Sequence, residues 1–322
     1  METSEQDISG LFRESGIEKH VVVTTNEHMY TVKEAIEDNW LFYTFFGFRE
    51  LNKRLLHEGK IPKRVAIIGT GNGADALGAH MILDGIEELL ITDIDSRVIG
   101  FSLENVEKNV PDDKPKPYVH TFVGNLCRPI SKMGLKVDLV YGNLPNLPSD
   151  SDDIAEGRNL SSLYRRGNED LALPNHIRDY LLEMQMLFLG SAGTILNQGG
   201  SVLPMIGGRV PYELFPRMFA EAGLNLEELC SGFKRQTEPD IVIPEYAGAE
   251  RDGIIFSFYP FAEAKEHLKK LGIANPTTKI DGMELSSALR TYRVSAREAL
   301  SLYREGIDLG HTVHFFRGVL GK

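Results

Sequence analysis

Short apolar runs, each closed by a glycine or a polar residue, recur through the middle of the chain. Val65-Ala66-Ile67-Ile68 runs into Gly69, the pattern of a strand buried on both faces of a sheet. Residues 89–92, 118–123, 137–140 and 201–205 repeat it. Helical periodicity fills 74–84, 97–109 and 177–196 between them. Strands alternating with helices predict a parallel sheet covered by helices on both sides. Two further β-rich runs, 226–233 and 253–258, are separated by a connection holding Pro239, Pro244 and Gly248, which leaves no room for a long helix. They predict an antiparallel hairpin at the sheet edge. Residues 1–60 read as mostly helical, with Trp40-Leu41-Phe42-Tyr43-Thr44-Phe45-Phe46-Gly47-Phe48 at their centre. Such an aromatic run serves either as a packing face or as a lid, and aromatic stripes mostly pack. Helical patterns return at 261–271 and 282–304. The expected class is α/β. It comprises a Rossmann-like doubly wound sheet, mostly parallel with an antiparallel edge hairpin, and helical additions at both ends. The expected division is a cap over 1–60, a ligand-binding domain over 61–260 and a helical extension over 261–322.

Composition narrows the function. The 322 residues are 42% hydrophobic and 25% charged, the balance of a folded globular chain. Lys and Arg number 35 against 46 Asp and Glu, a formal charge of −11. That charge lacks the electrostatic footprint for nucleic acid or an anionic membrane. No apolar stretch approaches the ~20 residues of a membrane span. Met1-Glu2-Thr3-Ser4-Glu5 lacks the basic-then-apolar order of a secretory signal, so a cytoplasmic location is expected. Cys127 and Cys230 stand alone and form neither a disulfide framework nor a metal motif. His311 and His314 have metal-like spacing but no third ligand. Their apolar segment, through Arg317, is expected to serve packing or a homodimer contact, and no metal is expected.

The strongest local signal is Gly69-Thr70-Gly71-Asn72-Gly73-Ala74-Asp75, which follows a strand and opens a helix. Glycines there allow a sharp turn and close approach of a ligand, and the helix start favours polar or anionic groups. The spacing is not Gly-x-Gly-x-x-Gly, and no Lys-Ser/Thr pair marks a phosphate loop. The next strand ends at Asp93, placed to accept hydrogen bonds from a ribose diol, while Asp95 is expected to cap the following helix. Gly124-Asn125-Leu126 follows the third strand and Tyr141-Gly142-Asn143-Leu144-Pro145-Asn146 the fourth. In a doubly wound sheet these ends converge on one crevice.

This conjunction resembles the class I S-adenosylmethionine-dependent methyltransferases. Within them it resembles the branch of glutamine-directed release-factor methyltransferases. The resemblance covers about 62–260 and implies an enzyme with S-adenosylmethionine as cofactor. It implies that Gly69, Thr70, Gly71 and Gly73 hold the methionine arm and Asp93 the ribose. Asn125 would meet adenine, and Ile94 and Leu126 would also bind the cofactor. Asn143 would hold the acceptor nitrogen, with Tyr141 or Tyr180 stabilising the sulfonium by its ring. Departures are Ile67 where an acid is common, Asn125 for aspartate, and Asn146 for the aromatic residue that clamps a flat acceptor. Asp75 is then a candidate for the amino-acid end of the cofactor. The expectation is methyl transfer to a small-molecule or amino-acid-like acceptor, at an amino nitrogen. The alternatives are cyclisation of the cofactor to azetidine-2-carboxylate and methylthioadenosine, or methylation of a protein. Arg158, Arg165, Arg166 and His176 lie in the loop expected at the mouth, and residues 204–209 are expected to form its far wall.

Overall fold

The computed structural model describes residues 2–29, 32–33, 35–149, 163–165 and 173–321. The N-terminal segment is a hairpin and two helices: β1 (Thr3–Asp7), α1 (Ser9–Glu14), β2 (Val22–Asn26) and α2 (Trp40–His57). The alternating core follows as β3 (Arg64–Ile68), α3 (Ala74–Ile82), β4 (Glu88–Asp93), α4 (Ser96–Asn109), β5 (Tyr118–Val123), α5 (Arg128–Lys132) and β6 (Val137–Gly142). The remaining strands are β7 (Leu147–Pro148), β8 (Leu163–Tyr164), β9 (Leu196–Gly208), β10 (Leu224–Arg235), β11 (Tyr259–Pro260) and β12 (Leu309–Leu320). The main sheet has the order β10-β12-β9-β6-β3-β4-β5, and β11 adds to β12. β5 to β9 run parallel, and β12 pairs antiparallel with both β9 and β10.

Period-two alternation assigns each strand residue to a face. Ala66 and Ile68 join Val140, Phe188 and Phe215 on one side, whereas Val65 and Ile67 join Phe45, Phe48 and Tyr141 on the other. The aromatic run is therefore mainly a packing face. Phe48 stands edge-on to Tyr141 at 5.0 Å and to Phe315 at 5.6 Å. α2 can lie this close because Gly47 and Gly78 carry no Cβ, which would strike Phe315 and Phe45.

The mostly parallel α/β sheet with an antiparallel edge matches the sequence expectation, with one change of partner. Residues 253–258 are not the second hairpin strand; β12 is. The 253–258 backbone is satisfied piecemeal, Phe256 N by Glu250 Oε1 at 2.9 Å, Ser257 N by Arg209 O at 2.7 Å and Phe258 N by Val294 O at 3.0 Å. Its connection to β10 does hold a helix, Pro239–Ala249, with Pro239 where a helix start tolerates it. The 261–322 stretch likewise ends in a 12-residue antiparallel strand of the sheet rather than in helix. Buried polar residues hid β12: His314 Nδ1 meets Glu228 at 2.7 Å and Thr312 Oγ1 donates to Gly208 O at 3.1 Å. His311 to Arg317 thus lie within the sheet and are buried, which removes them as a subunit contact. No helix among the described residues is long and apolar enough to cross a membrane.

Candidate active site

A crevice open to solvent lies at the carboxyl ends of β3, β6 and β9. The loop after β3 makes one wall. Gly69, Gly71 and Gly73 have φ of +68°, +51° and +81°, a region that favours glycine. They do different jobs. A Cβ on Gly71 would meet nothing within 4 Å, so it borders free space in the crevice. A Cβ on Gly73 would fall 2.7 Å from Ser102 O, so that glycine faces α4 rather than the crevice. Thr70 N donates to Thr92 O at 2.9 Å, which ties the loop to β4, and its buried hydroxyl has no partner.

Asp93 closes β4 beside this loop. Its Oδ2 accepts from Gly71 N at 3.0 Å and its Oδ1 from Asp95 N at 3.0 Å. Burial raises its pKa, and these backbone donors oppose the rise. Asp95 is the cap of α4, accepting from Arg97 N at 2.9 Å. Next to Asp93, Ile94 is 73% exposed, an apolar side chain in water at the lip of the sheet. Asn125 is exposed and Leu126 partly buried at the end of β5, with Leu126 at φ +51°.

Asn143, Leu144, Pro145 and Asn146 form the floor at the end of β6. The fully buried Gln185 fixes this turn, its Nε2 donating to Asn146 Oδ1 at 2.8 Å. Tyr141 and Tyr180 do not join them. Tyr141 is buried under the floor, and its hydroxyl is 2.8 Å from Thr44 Oγ1 and also engages Asp75. Tyr180 donates to Gly253 O at 3.2 Å and packs edge-on to Phe256. His176 lies 3.1 Å from Glu221, and Arg165 is exposed. Arg158 and Arg166 lie outside the described residues.

Asp75 lines the crevice from the first turn of α3, and its buried Oδ1 has no hydrogen-bond partner. Burial pushes its carboxyl up to about 7, although the Tyr141 hydroxyl favours the anion. Trp40 and Leu41 contribute from the start of α2, and Val242 and Tyr246 from the helix Pro239–Ala249. Arg209, just past β9, completes the far wall. The sequence places residues 204–209 there but does not single out Arg209 or Gln185, since lone polar residues carry no spacing signal. The carboxyl ends of β3 to β6 thus offer a glycine cradle, an acid held beside it and an amide-lined floor.

No family model matches this chain. A stretch of 61 residues is 36% identical to ribosomal protein L11 methyltransferase of Geobacter sp. (strain M21), covering 19% of this chain and 19% of that protein. The chain thus spans about a fifth of that relative's length. Among solved structures, ribosomal protein L11 methylase of Lactobacillus delbrueckii subsp. bulgaricus is 16% identical with a TM-score of 0.35, covering 61% of this chain and 73% of that one. The T. thermophilus 16S rRNA methyltransferase solved with AdoMet and guanosine is 13% identical with a TM-score of 0.43, covering 71% and 47%. A methyltransferase from Pyrococcus furiosus is 14% identical with a TM-score of 0.34, covering 56% and 75%. Its sheet order, glycine loop and the acid that closes β4 give the chain a doubly wound α/β fold, and its matched stretch is similar to a ribosomal protein L11 methyltransferase.

Proposed function

We propose that this chain is an S-adenosylmethionine-dependent methyltransferase acting on an amino nitrogen of a small, amino-acid-like acceptor. The observation that carries the reading is the Gly71–Asp93 contact, which fixes a carboxylate beside an open glycine cradle. The residues fit the cofactor. Gly71 leaves space where a side chain would stand, Ile94 offers a dry face for a flat ring, and Asp75 Oδ1 awaits a donor. In this reading Gly69 to Gly71 hold the methionine arm, Asp93 the ribose, and Ile94, Asn125 and Leu126 the adenine. Residues 61–260 together with β12 form the cofactor domain, and 1–60 form its cap.

When bound, S-adenosylmethionine supplies a methyl group already activated on a sulfonium. The protein's task is then alignment and exclusion of water. Asn143 accepts a hydrogen bond from the acceptor nitrogen and orients its lone pair. Gln185 holds the floor through Asn146, and Tyr141 positions Asp75 from beneath. Trp40, Leu41, Met205 and Val242 keep the walls apolar. The same walls flank the crevice on both sides and favour a small acceptor over a protein segment, and the charge of −11 disfavours nucleic acid.

The test is chromatography of the purified protein incubated with S-adenosylmethionine, with and without small amines. The expected product is S-adenosylhomocysteine, formed only when an amine is supplied. Asn143→Ala should lower kcat by about 10²-fold, because orientation of the nitrogen is most of the catalysis. Methylthioadenosine made without an amine, and lost in Asn143→Ala, would replace methyl transfer by ring closure.

A further inference from the structure

Arg209 is 3% exposed, yet among the described residues no carboxylate pairs with it. Its Nε and Nη2 both donate to the neutral Gln236 Oε1, at 2.9 and 2.6 Å. The guanidinium lies 5.3 Å from the Tyr246 ring centroid and 5.9 Å from that of Phe258. Two basic side chains, Lys234 and His311, stand beside it, and burial disfavours the charged form of both. Lys234 is fully buried, donates to Arg235 O at 2.8 Å and Thr237 Oγ1 at 2.7 Å, and is pushed down to about 7 by burial and then by Arg209. His311 is also fully buried, and its Nε2 has no partner. An arginine stays protonated at any accessible pH, so this wall of the crevice holds a permanent charge with no counter-ion among the described residues.

The room for that charge is built in. A Cβ on Gly207 would strike Arg209 Nη1, so the glycine lets the guanidinium lie back along β9. Gln236 takes two donors of the fork, and the Tyr246 hydroxyl is a further hydrogen-bond partner. Tyr246, which stacks on Arg209, also lines the crevice. A fork held in place, desolvated and facing a cavity is arranged for bidentate recognition of a planar anion.

We propose that Arg209 anchors a carboxylate at the far wall of the crevice, across from the glycine loop. The proposal rests on the S-adenosylmethionine reading of that loop. Two sources can present this group: the cofactor's own amino-acid arm, or a separate amino acid whose nitrogen sits over Asn143. Gln236 acts as a positioning residue for the fork. A merely structural arginine would stabilise the fold, whereas an anchor is a buried charge that ligand-free protein is better without.

The test compares the full chain with Arg209→Met and Arg209→Lys. Thermal melts come first: Arg209→Met should melt at or above the wild-type temperature. Calorimetry then uses S-adenosylhomocysteine, which carries the carboxylate, and methylthioadenosine, which lacks it. If the cofactor supplies the group, Arg209→Met weakens S-adenosylhomocysteine about 10-fold or more and leaves methylthioadenosine unchanged. If the acceptor supplies it, both nucleosides bind as before. One of the twenty L-amino acids, but not its amide, then stabilises the nucleoside-loaded wild type and not the variant. Should Arg209→Met fail to fold, Arg209→Lys must show the same ordering. Unchanged responses to every probe, or destabilisation without loss of carboxylate binding, would overturn the anchor. Absence of nucleoside binding by the wild type would instead overturn the cofactor reading, and amino-acid stabilisation of the unloaded wild type but not of Arg209→Met would then judge Arg209.

Discussion

Asp75 keeps its proton to a higher pH in the folded chain than in the unfolded one. Burial lifts its carboxyl from an ordinary value near 3.8 to about 7. Between those values the folded state binds more protons, so its contribution makes stability fall as pH rises through that window and level off above about 7. Melting curves from pH 4 to 8 should therefore show wild type losing ground to Asp75→Asn up to pH 7 and no further. Parallel curves would remove the perturbed acid. Gly71 tests the cradle from the other side. Valine there meets a φ of +51°, a strain of about 1–2 kcal/mol, and fills space that is otherwise open. Gly71→Val should stay folded and lose S-adenosylhomocysteine binding in calorimetry, and normal affinity would reduce the loop to a turn. Both residues stand in the one motif that the sequence displays openly. Its roles divide only in three dimensions, where Gly71 borders the crevice and Gly73 abuts α4.

Individual elements are tied together by a few buried polar contacts. Arg317 on β12 is 2% exposed and reaches two other elements. It bonds Glu58, just past α2, at 2.6 and 2.9 Å, and Glu227 on β10 at 3.2 Å. Arg317 foremost, and Lys60 next, hold the Glu58 carboxyl down at about 2, against an ordinary 4.5. This stabilisation is complete above 4.5 and drains away as pH falls towards 2. Arg317→Met should cost about 2 kcal/mol at neutral pH, less than a fully buried pair because both glutamates keep some water. Urea midpoints at pH 7 and pH 3 should show the gap between variant and wild type narrowing in acid. A constant gap would mean that the ion pairs are idle. β12 was the element least legible in the sequence, for the same reason. A strand carrying two histidines and an arginine breaks the apolar-run rule, and only its partners Glu228, Glu58 and Glu227 make it a core strand.

At the scale of the whole molecule, the alternating core was readable because each of its strands is a local event. β3 to β6 are apolar, short, and end where their loops turn polar, so β3-Gly69, β4-Asp93, β5-Asn125 and β6-Asn143 could be placed without coordinates. What escaped depends on distant pairing. Residues 253–258 alternate like a strand but spend their backbone bonds on three separate segments. Arg209 becomes notable only because no carboxylate among the described residues pairs with it, and Tyr141 leaves the crevice because its side of β6 faces Phe48 and Phe315. The insertion of β12 between β9 and β10 has a temporal consequence. During synthesis, β9 and β10 emerge long before the strand that separates them. Throughout that interval each offers an unpaired edge on the side where β12 will lie, and β10 has no native neighbour in the main sheet. A nascent chain in this condition is a template for wrong pairing, with itself or with another copy. The conspicuous polar residues of β12 then gain a second meaning. His314 and Arg317 have acidic partners waiting on β10 and beside α2, and an intruding strand without those side chains would forgo both contacts. The charges that conceal the strand from a reader of the sequence also identify it to the half-made sheet.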